Sequence, residues 1–139
     1  KHVVDNIYDV DDNIFKIAIC DLNISSENSY KVLNPLFGDE NKVVVSGELW
    51  VDINGKSVNK GAALKEIQEC FNISYEETMV FGDFYNDIEM LREAHYSFVM
   101  ENANDDMKQY GNFIAESNND NGVIKAINEY VLKEEIAEV

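Results

Sequence analysis

Basic side chains are scarce in this sequence. Its 139 residues include 11 Lys and Arg against 27 Asp and Glu, which gives a formal net charge of −16 at pH 7. A surface with this excess of negative charge repels the phosphate backbone of nucleic acids and the head groups of anionic membranes. We therefore expect no nucleic acid and no membrane among the partners of the chain, whereas cations suit it.

Long apolar runs and cysteines are also rare. The longest strictly apolar runs are about four residues, far short of the roughly 20 that span a bilayer, and no signal-peptide pattern opens the chain. Its two cysteines, Cys20 and Cys70, stand far apart in apolar surroundings. We expect both thiols to be reduced and buried in a cytoplasmic protein rather than joined in a disulfide.

Apolar residues are nevertheless plentiful enough for a packed core. Hydrophobic residues make up 45% of the sequence, which excludes a disordered chain, and the length suits about one domain. The first residue is Lys1 rather than Met. We expect the sequence to be a portion of a longer protein.

The pattern of apolar residues changes near the Asn54-Gly55 pair. Before this pair the pattern favours strands and one helix, and Lys16 takes a charged outward position in the first strand. The predicted elements are strands over Ile14–Cys20, Lys42–Ser46 and Glu48–Ile53, and a helix from Ser25 to about Phe37.

After Gly55 helices and strands alternate. A helix opens at Lys60 with Asn59 as its cap, and the spacing turns Leu64, Ile67 and Phe71 inward. This alternation predicts an α/β fold with a doubly wound, Rossmann-like parallel sheet. The later elements are strands over Thr78–Phe81, Tyr96–Met100 and Asn112–Ala115, and helices over Asp87–Ala94, Asn104–Tyr110 and from Gly122 with Val123, Ile127 and Val131 in register.

An acidic loop follows the first buried strand of this second part. Asp83 comes directly after Phe81-Gly82, at the carboxyl edge of the predicted sheet where open α/β folds bind ligands. Asp87 and the amide of Asn86 are close enough along the chain to reach the same point. Oxygen ligands of this kind suit Mg²⁺. Taken alone, the spacing is more typical of a strand-end turn followed by a helix cap than of a metal site.

Lys60 stands at a helix start, where its charge opposes the helix dipole. A lysine in this position is well suited to hold a phosphate group, although a solvated surface lysine is the simpler interpretation of any single lysine.

Together these segments resemble the haloacid dehalogenase superfamily of phosphohydrolases, and specifically its Cof-type branch. Residues 14–53 resemble the end of the mobile α+β cap inserted in that branch. The resemblance predicts a C-terminal part of the cap over residues 1–53 and the C-terminal half of the hydrolase core over residues 54–139. The matching blocks, in the family's order and spacing, are Ser57–Leu64, Gly82–Leu91, Ala94–Ala103 and Glu116–Val123.

The resemblance implies roles for five residues. Lys60 matches the lysine that binds the phosphoryl group and steadies the charge of the nucleophile. Asp83 matches the Mg²⁺-ligand aspartate, and Asp87 matches the second acid, which contacts the metal directly or through water. Asn86 and Asn102 match asparagines near the substrate phosphate. The Phe84-Tyr85 pair departs from the smaller residues common there, which affects the shape of the site.

The family reaction also needs an aspartate nucleophile after an early apolar strand, and this chain lacks a convincing one. Asp9-Val10-Asp11 has the right spacing, but residues 3–8 before it make a poor buried strand. We therefore expect the intact protein to hydrolyse small phosphate esters, such as sugar phosphates, through an aspartyl-phosphate formed outside this chain. The isolated chain should be inactive, and the missing N-terminal half of the same protein is an expected partner.

Other interpretations remain open at this point. A sheet without its first strand exposes an edge, so association with a second copy through that edge is an alternative to the missing half. The acidic loop could also serve a non-catalytic cation-binding or regulatory α/β module. A receiver-like signalling domain is less suitable, because its acidic cluster precedes its lysine, whereas Lys60 precedes Asp83.

Overall fold

Two separate three-stranded sheets organise the chain. The computed structural model describes residues 3–132. The first sheet is antiparallel, with the strand order β1-β3-β2, and the second is parallel, with the order β4-β5-β6. The strands are β1 (Lys16–Cys20), β2 (Asn41–Gly47), β3 (Trp50–Gly55), β4 (Met79–Gly82), β5 (Tyr96–Met100) and β6 (Phe113–Ala115). The α-helices are α1 (Ser29–Phe37), α2 (Lys60–Phe71), α3 (Ile88–Leu91) and α4 (Gly122–Ile127).

The antiparallel sheet is connected to α1 by polar contacts. The hydroxyl of Ser25, which is fully buried, donates to the carbonyl of Gly47 at 3.0 Å. The carboxylate of Asp21 accepts the backbone N–H groups of Asn23 and Ser29, both at 3.0 Å, and so binds the first residue of α1. Hydrogen bonds from the N–H of Asn23 first, and then from the side chain and N–H of Ser29, hold the pKa of Asp21 well below its usual range. Hydrogen bonds thus position α1 against the β2–β3 hairpin.

The parallel sheet is packed on both faces by apolar side chains. Alternate residues of a strand point to opposite faces, so Val80 and Val99 contribute to one cluster and Phe98 to the other. Leu91 of α3 packs in the first cluster, and Ala126 of α4 packs in the second. Helices on both faces confirm the predicted α/β fold with a parallel sheet.

Helix α2 buries less of its predicted face than its spacing indicated. Leu64 packs against the first apolar cluster, but Ile67 and Phe71 are 51% and 69% exposed. The helix meets α3 through Gly61 near its start, where a Cβ would lie 2.6 Å from the carbonyl oxygen of Glu89. No other layer in residues 3–132 covers the later part of this face.

The sequence predictions for the thiols and for two helices were also wrong in part. Cys20 and Cys70 are exposed, because one ends the edge strand β1 and the other lies on the outer side of α2. The helix predicted over Asp87–Ala94 spans only Ile88–Leu91, since Asp87 belongs to a 3₁₀ turn over Tyr85–Asp87 and the helix ends three residues early. A π-helical turn over Asn128–Leu132 follows α4, and Val131 is consequently exposed.

Among the residues described, 3–132, the structure contains no helix with the combination of length and apolarity needed to cross a bilayer.

Candidate functional site

The position of Lys60 is determined by a local capping signal. Asn59 has an extended backbone, and its side-chain oxygen accepts the N–H of Ala62 at 2.8 Å, so α2 begins at Lys60 as predicted. The side chain of Lys60 is half-exposed and forms an ion pair with Oδ1 of Asp87. The first turn of α2 therefore places the ammonium group of Lys60 against the loop that follows β4.

Asp87 connects the start of α2 to the loop that follows β4. It is only 3% exposed, and while Oδ1 contacts the Lys60 ammonium, Oδ2 accepts the backbone N–H groups of Asp83 at 3.0 Å and Phe84 at 3.2 Å. A buried carboxylate that accepts this set of hydrogen bonds fixes the bend after the strand. Asp87 thus positions both Lys60 and the backbone at Asp83.

Two glycines allow the backbone elements to approach this carboxylate. A Cβ on Gly82 would lie 2.7 Å from the Cβ of Asp87, which is closer than side chains tolerate. Gly61 allows a similarly close approach between the first turn of α2 and the backbone of Glu89. Substituting either glycine would force the neighbouring backbone or side chain to shift.

Asp83 lies where a cation could reach it. It is an exposed residue directly after β4, and its contact with Asp87 is made by its backbone N–H, not by its carboxylate. Asp83 and Asp87 supply oxygen donors of the kind that Mg²⁺ prefers, and Asn86 adds a neutral amide nearby. Within residues 3–132, however, no three His, Cys, Asp or Glu side chains form a metal-binding group. A complete site would need at least one further donor.

The two asparagines of the predicted site have different surroundings. Asn86 is half-buried and lines the same cavity as Lys60. Asn102 follows the carboxyl end of β5, at the same edge of the sheet as Asp83, because β4 and β5 are parallel. Its Oδ1 accepts the N–H of Asn118 at 3.0 Å, and it does not line the cavity. The structure thus brings Lys60, Asn86 and Asp87 together and leaves Asn102 farther along the edge.

The cavity also contains residues that sequence reasoning missed. Lys16, predicted to point outward, forms an ion pair with Asp52 at 3.0 Å and lines the cavity together with Lys42. The signal available in the sequence was a charged residue, Asp52, between the apolar residues Val51 and Ile53 of a strand, with lysines in two other strands. Only the sheet register shows that these side chains share a face.

The rejected nucleophile candidate has no strand before it in the described part of the chain. Asp9 ends a 3₁₀ turn that begins at Ile7, and it is exposed. Strand β1 starts only at Lys16. A nucleophile held rigidly at a strand end is therefore not found at this position.

Comparison with known proteins gives a family match along most of the sequence. The family model described as haloacid dehalogenase-like hydrolase matches residues 1–127. The 5-amino-6-(5-phospho-D-ribitylamino)uracil phosphatase YbjI of Escherichia coli is 38% identical over 135 residues, which are 95% of this chain and 48% of the relative. The similarly named phosphatase YcsE of Bacillus subtilis is 38% identical over 82 residues, 59% of this chain and 33% of the relative.

Solved structures share the fold. The crystal structure of SMU.1108c from Streptococcus mutans superposes with a TM-score of 0.81 at 31% identity, covering 93% of this chain and 49% of that protein. The subclass IIB sugar phosphatase BT4131 superposes with a TM-score of 0.72 at 26% identity, covering 86% of this chain and 44% of that protein. The chain thus spans half or less of the length of these relatives.

Proposed function

The chain belongs to the haloacid dehalogenase-like hydrolase family, and on that premise we propose that it forms the phosphate-binding and metal-binding part of a phosphatase. In this proposal Lys60 binds the phosphoryl group, Asp83 binds Mg²⁺, and Asp87 positions both. Asn86 lies beside the phosphoryl group. Asn102 fixes the loop at Asn118, near the same phosphoryl group. The attacking aspartate comes from a segment outside this sequence.

One observation carries the proposal, and that is the arrangement around Asp87. One oxygen of this buried carboxylate binds the Lys60 ammonium group, and the other accepts the backbone N–H groups of Asp83, which carries the second carboxylate, and of Phe84. Phosphoryl transfer needs little more from a protein than positioning and neutralisation of charge. A lysine held by the buried Asp87 carboxylate, with the exposed Asp83 held on the same loop, supports both needs.

The metal proposal follows from the donors. Both oxygens of Asp87 are already bound by Lys60 and by backbone N–H groups, so we assign the direct contact to Asp83 and a water-mediated contact to Asp87. A bound Mg²⁺ would neutralise charge on the phosphoryl oxygens. Because two carboxylates do not complete its coordination, the remaining ligands would come from substrate, water and the segment that carries the nucleophile.

The substrate proposal is a small phosphate ester. Two relatives are named as phosphatases of a phosphorylated ribitylamino-uracil, and a structural neighbour is named as a sugar phosphatase. The shared chemistry of these names is a phosphate on a chain or ring that carries hydroxyl groups. We propose a substrate of this class for the protein that contains this chain.

The decisive experiment uses the complete gene product that contains this sequence. Release of inorganic phosphate from p-nitrophenyl phosphate and from sugar phosphates should depend on Mg²⁺. Asp83→Asn and Lys60→Gln should each lower kcat/KM by about 100-fold or more, because each removes charge stabilisation at the phosphoryl group. Asp105→Asn, at an exposed carboxylate outside the site, is the matched control and should retain activity.

Two results would contradict the proposal. A complete protein that binds Mg²⁺ but releases no phosphate would favour the non-catalytic cation-binding module. Mg²⁺-dependent phosphate release by the isolated chain, abolished by Asp9→Asn, would mean that the attacking carboxylate lies within it. We expect instead that the isolated chain shows no turnover.

A further inference from the structure

A side-chain hydrogen bond joins two successive loops at the carboxyl edge of the parallel sheet. The loop after β4 carries Asp83 and Asp87, and Tyr85 of the same loop donates its hydroxyl to Oδ2 of Asp106 at 2.9 Å. Asp106 belongs to a 3₁₀ helix over Asp105–Tyr110, which follows β5. Tyr85 therefore joins the candidate metal loop to the next loop along this edge.

The hydroxyl of Tyr85 has a partner in each direction. It donates to Asp106, and it accepts a hydrogen bond from the side-chain amide of Asn104 at 3.3 Å. Because a phenol hydroxyl has one proton to donate and lone pairs that accept, the two contacts are complementary. A hydrogen bond to a charged carboxylate is also stronger than one between neutral groups. The end of the tyrosine ring is thus held at one point.

Stability gives a poor account of these two contacts. Asp106 and Asn104 are both exposed, and a polar contact at an exposed carboxylate contributes little to the free energy of unfolding. The ring of Tyr85 packs against the apolar cluster that contains Val80 and Leu91, and a phenylalanine ring would pack there as well. The hydroxyl is therefore better explained by the position in which it holds the loop.

The ring is attached to the turn that carries the candidate site. Tyr85 is the first residue of the 3₁₀ turn over Tyr85–Asp87. This turn has one contact with α2, through the ion pair of Asp87 with Lys60, and a second contact with the 3₁₀ helix after β5, through Asp106. A single contact would leave the turn free to rotate about it, whereas two separate contacts fix its orientation.

We propose that Tyr85 is a positioning residue, whose hydrogen bond to Asp106 holds the loop in the orientation in which Asp83 and Asp87 receive Mg²⁺. This inference rests on the proposed phosphatase function. Tyr85 acts through the loop and not as a ligand, since its hydroxyl is engaged by Asp106. The Phe84-Tyr85 pair departs from the smaller residues common in the family, and smaller side chains could not reach the next loop.

The first test measures Mg²⁺ binding to the complete gene product by isothermal titration calorimetry, without substrate. Tyr85→Phe keeps the ring and removes the hydroxyl. It should raise the Kd for Mg²⁺ by about 3- to 10-fold, less than the roughly 10- to 100-fold typical of residues that orient metal ligands, because this contact is exposed. Tyr110→Phe is the matched control, since it removes the hydroxyl of another tyrosine packed on the same apolar cluster, and it should leave the Kd unchanged.

Activity supplies a second readout that a purely structural role would not change. At low Mg²⁺ the Tyr85→Phe protein should release phosphate from p-nitrophenyl phosphate more slowly than the parent protein, by about the factor found for the Kd. Because excess Mg²⁺ fills a weakened site by mass action, kcat should return to within twofold of the parent value at saturating Mg²⁺. A loss of kcat that Mg²⁺ does not restore would contradict a role in metal positioning.

A double-mutant cycle identifies the partner of the hydroxyl. Asp106→Ala should raise the Kd for Mg²⁺ about as much as Tyr85→Phe, and the double variant should bind within twofold of either single variant, because both remove the same hydrogen bond. Asp105→Ala removes an equal charge one residue away and should leave the Kd unchanged. Effects of Tyr85→Phe and Asp106→Ala that multiply would show that the two side chains act separately.

The possible failures are distinguishable. If Asp83→Asn abolishes Mg²⁺ binding and phosphate release but Tyr85→Phe and Asp106→Ala bind Mg²⁺ within twofold of the parent protein, the positioning role is wrong and the phosphatase function stands. If neither Mg²⁺ binding nor phosphate release requires Asp83, both proposals fall. Should Tyr85→Phe lose its native circular dichroism, Asp106→Ala decides, since Asp106 is exposed.

Discussion

The antiparallel sheet with α1 and the parallel sheet with its helices are held together in different ways. The parallel part buries large apolar side chains, among them Leu91, Phe98 and Met107, all at 1% exposure or less. In the antiparallel part the fully buried apolar side chain is Val51, and the other buried residues include Asp21, Ser25 and Asp52. One region is stabilised by packing, and the other depends on hydrogen bonds and ion pairs.

The difference matters because the candidate site lies where the two regions meet. The groups assigned to phosphate and metal, Lys60, Asp83 and Asp87, lie on the packed region, which can hold them in fixed positions. The polar cavity wall lies on the other region. Four predictions test this comparison.

The largest effect should come from the packed core. Phe98→Ala should lower the free energy of unfolding by about 3–5 kcal/mol, because it leaves a cavity among stacked rings. Phe15→Ala is the matched control in the other region, where the ring is 88% exposed, and its change should stay within about 0.5 kcal/mol. Urea unfolding of both variants measures the difference. Equal losses would contradict the contrast between the regions.

The next largest effect should come from Asp87. Asp87→Ala should lower the free energy of unfolding by about 2 kcal/mol, because Lys60 and two backbone N–H groups lose their acceptor. Asp105→Ala removes an ion pair whose carboxylate is 98% exposed and should cost less than about 0.5 kcal/mol. Thermal unfolding at constant pH compares them. A loss at Asp87 no greater than that at Asp105 would mean that the buried carboxylate does not hold the loop.

Gly61→Ala should cause a smaller loss of stability. The new Cβ would lie 2.6 Å from the carbonyl oxygen of Glu89, so α2 must shift, at a net cost of about 1 kcal/mol after the better helix propensity of alanine. Gly55→Ala, at the end of β3, meets only a Val58 methyl group at 3.3 Å and should change stability less. Chemical unfolding measures both, and a stabilised Gly61→Ala protein would show that α2 and α3 are not tightly packed.

The smallest effect should be a dependence on pH of the stability that Asp21 contributes in the antiparallel part. Because hydrogen bonds lower the pKa of Asp21 in the folded state, its contribution to stability is complete above its unfolded pKa and declines as the pH falls below it. The difference in Tm between the parent protein and Asp21→Asn should therefore be constant near neutral pH and narrow from about pH 4 downwards. A difference that widens in acid would show that Asp21 does not cap α1 as a carboxylate.

Much of the parallel part could be predicted because its signals are local. Strand β5 has the predicted bounds, and α2 begins at the predicted residue, since an asparagine cap and a short apolar run need no distant partner. The family resemblance is confirmed by the match over residues 1–127. The roles of Lys60, Asp83, Asn86, Asp87 and Asn102, and the boundary between cap and core, stay predictions.

Burial was harder to predict. The expectation of buried thiols was wrong, because apolar neighbours in sequence do not decide whether another layer covers Cys20 or Cys70. Ser25 and Asp52 were not expected in the interior, since their partners lie 22 residues or more away along the chain. The polar cavity wall was missed for the same reason.

The sequence by itself determined the order of strands and helices, the excess of negative charge and the close spacing of Asp83, Asn86 and Asp87, because each depends on residues within a few positions of one another. Only the tertiary structure decided that Asp87 would hold Lys60 and that Lys16, Asp52 and Asn54 would share a face towards them. Those contacts depend on the register of strands and on the packing of α2 against α3, which are set by the fit of distant surfaces rather than by neighbouring residues.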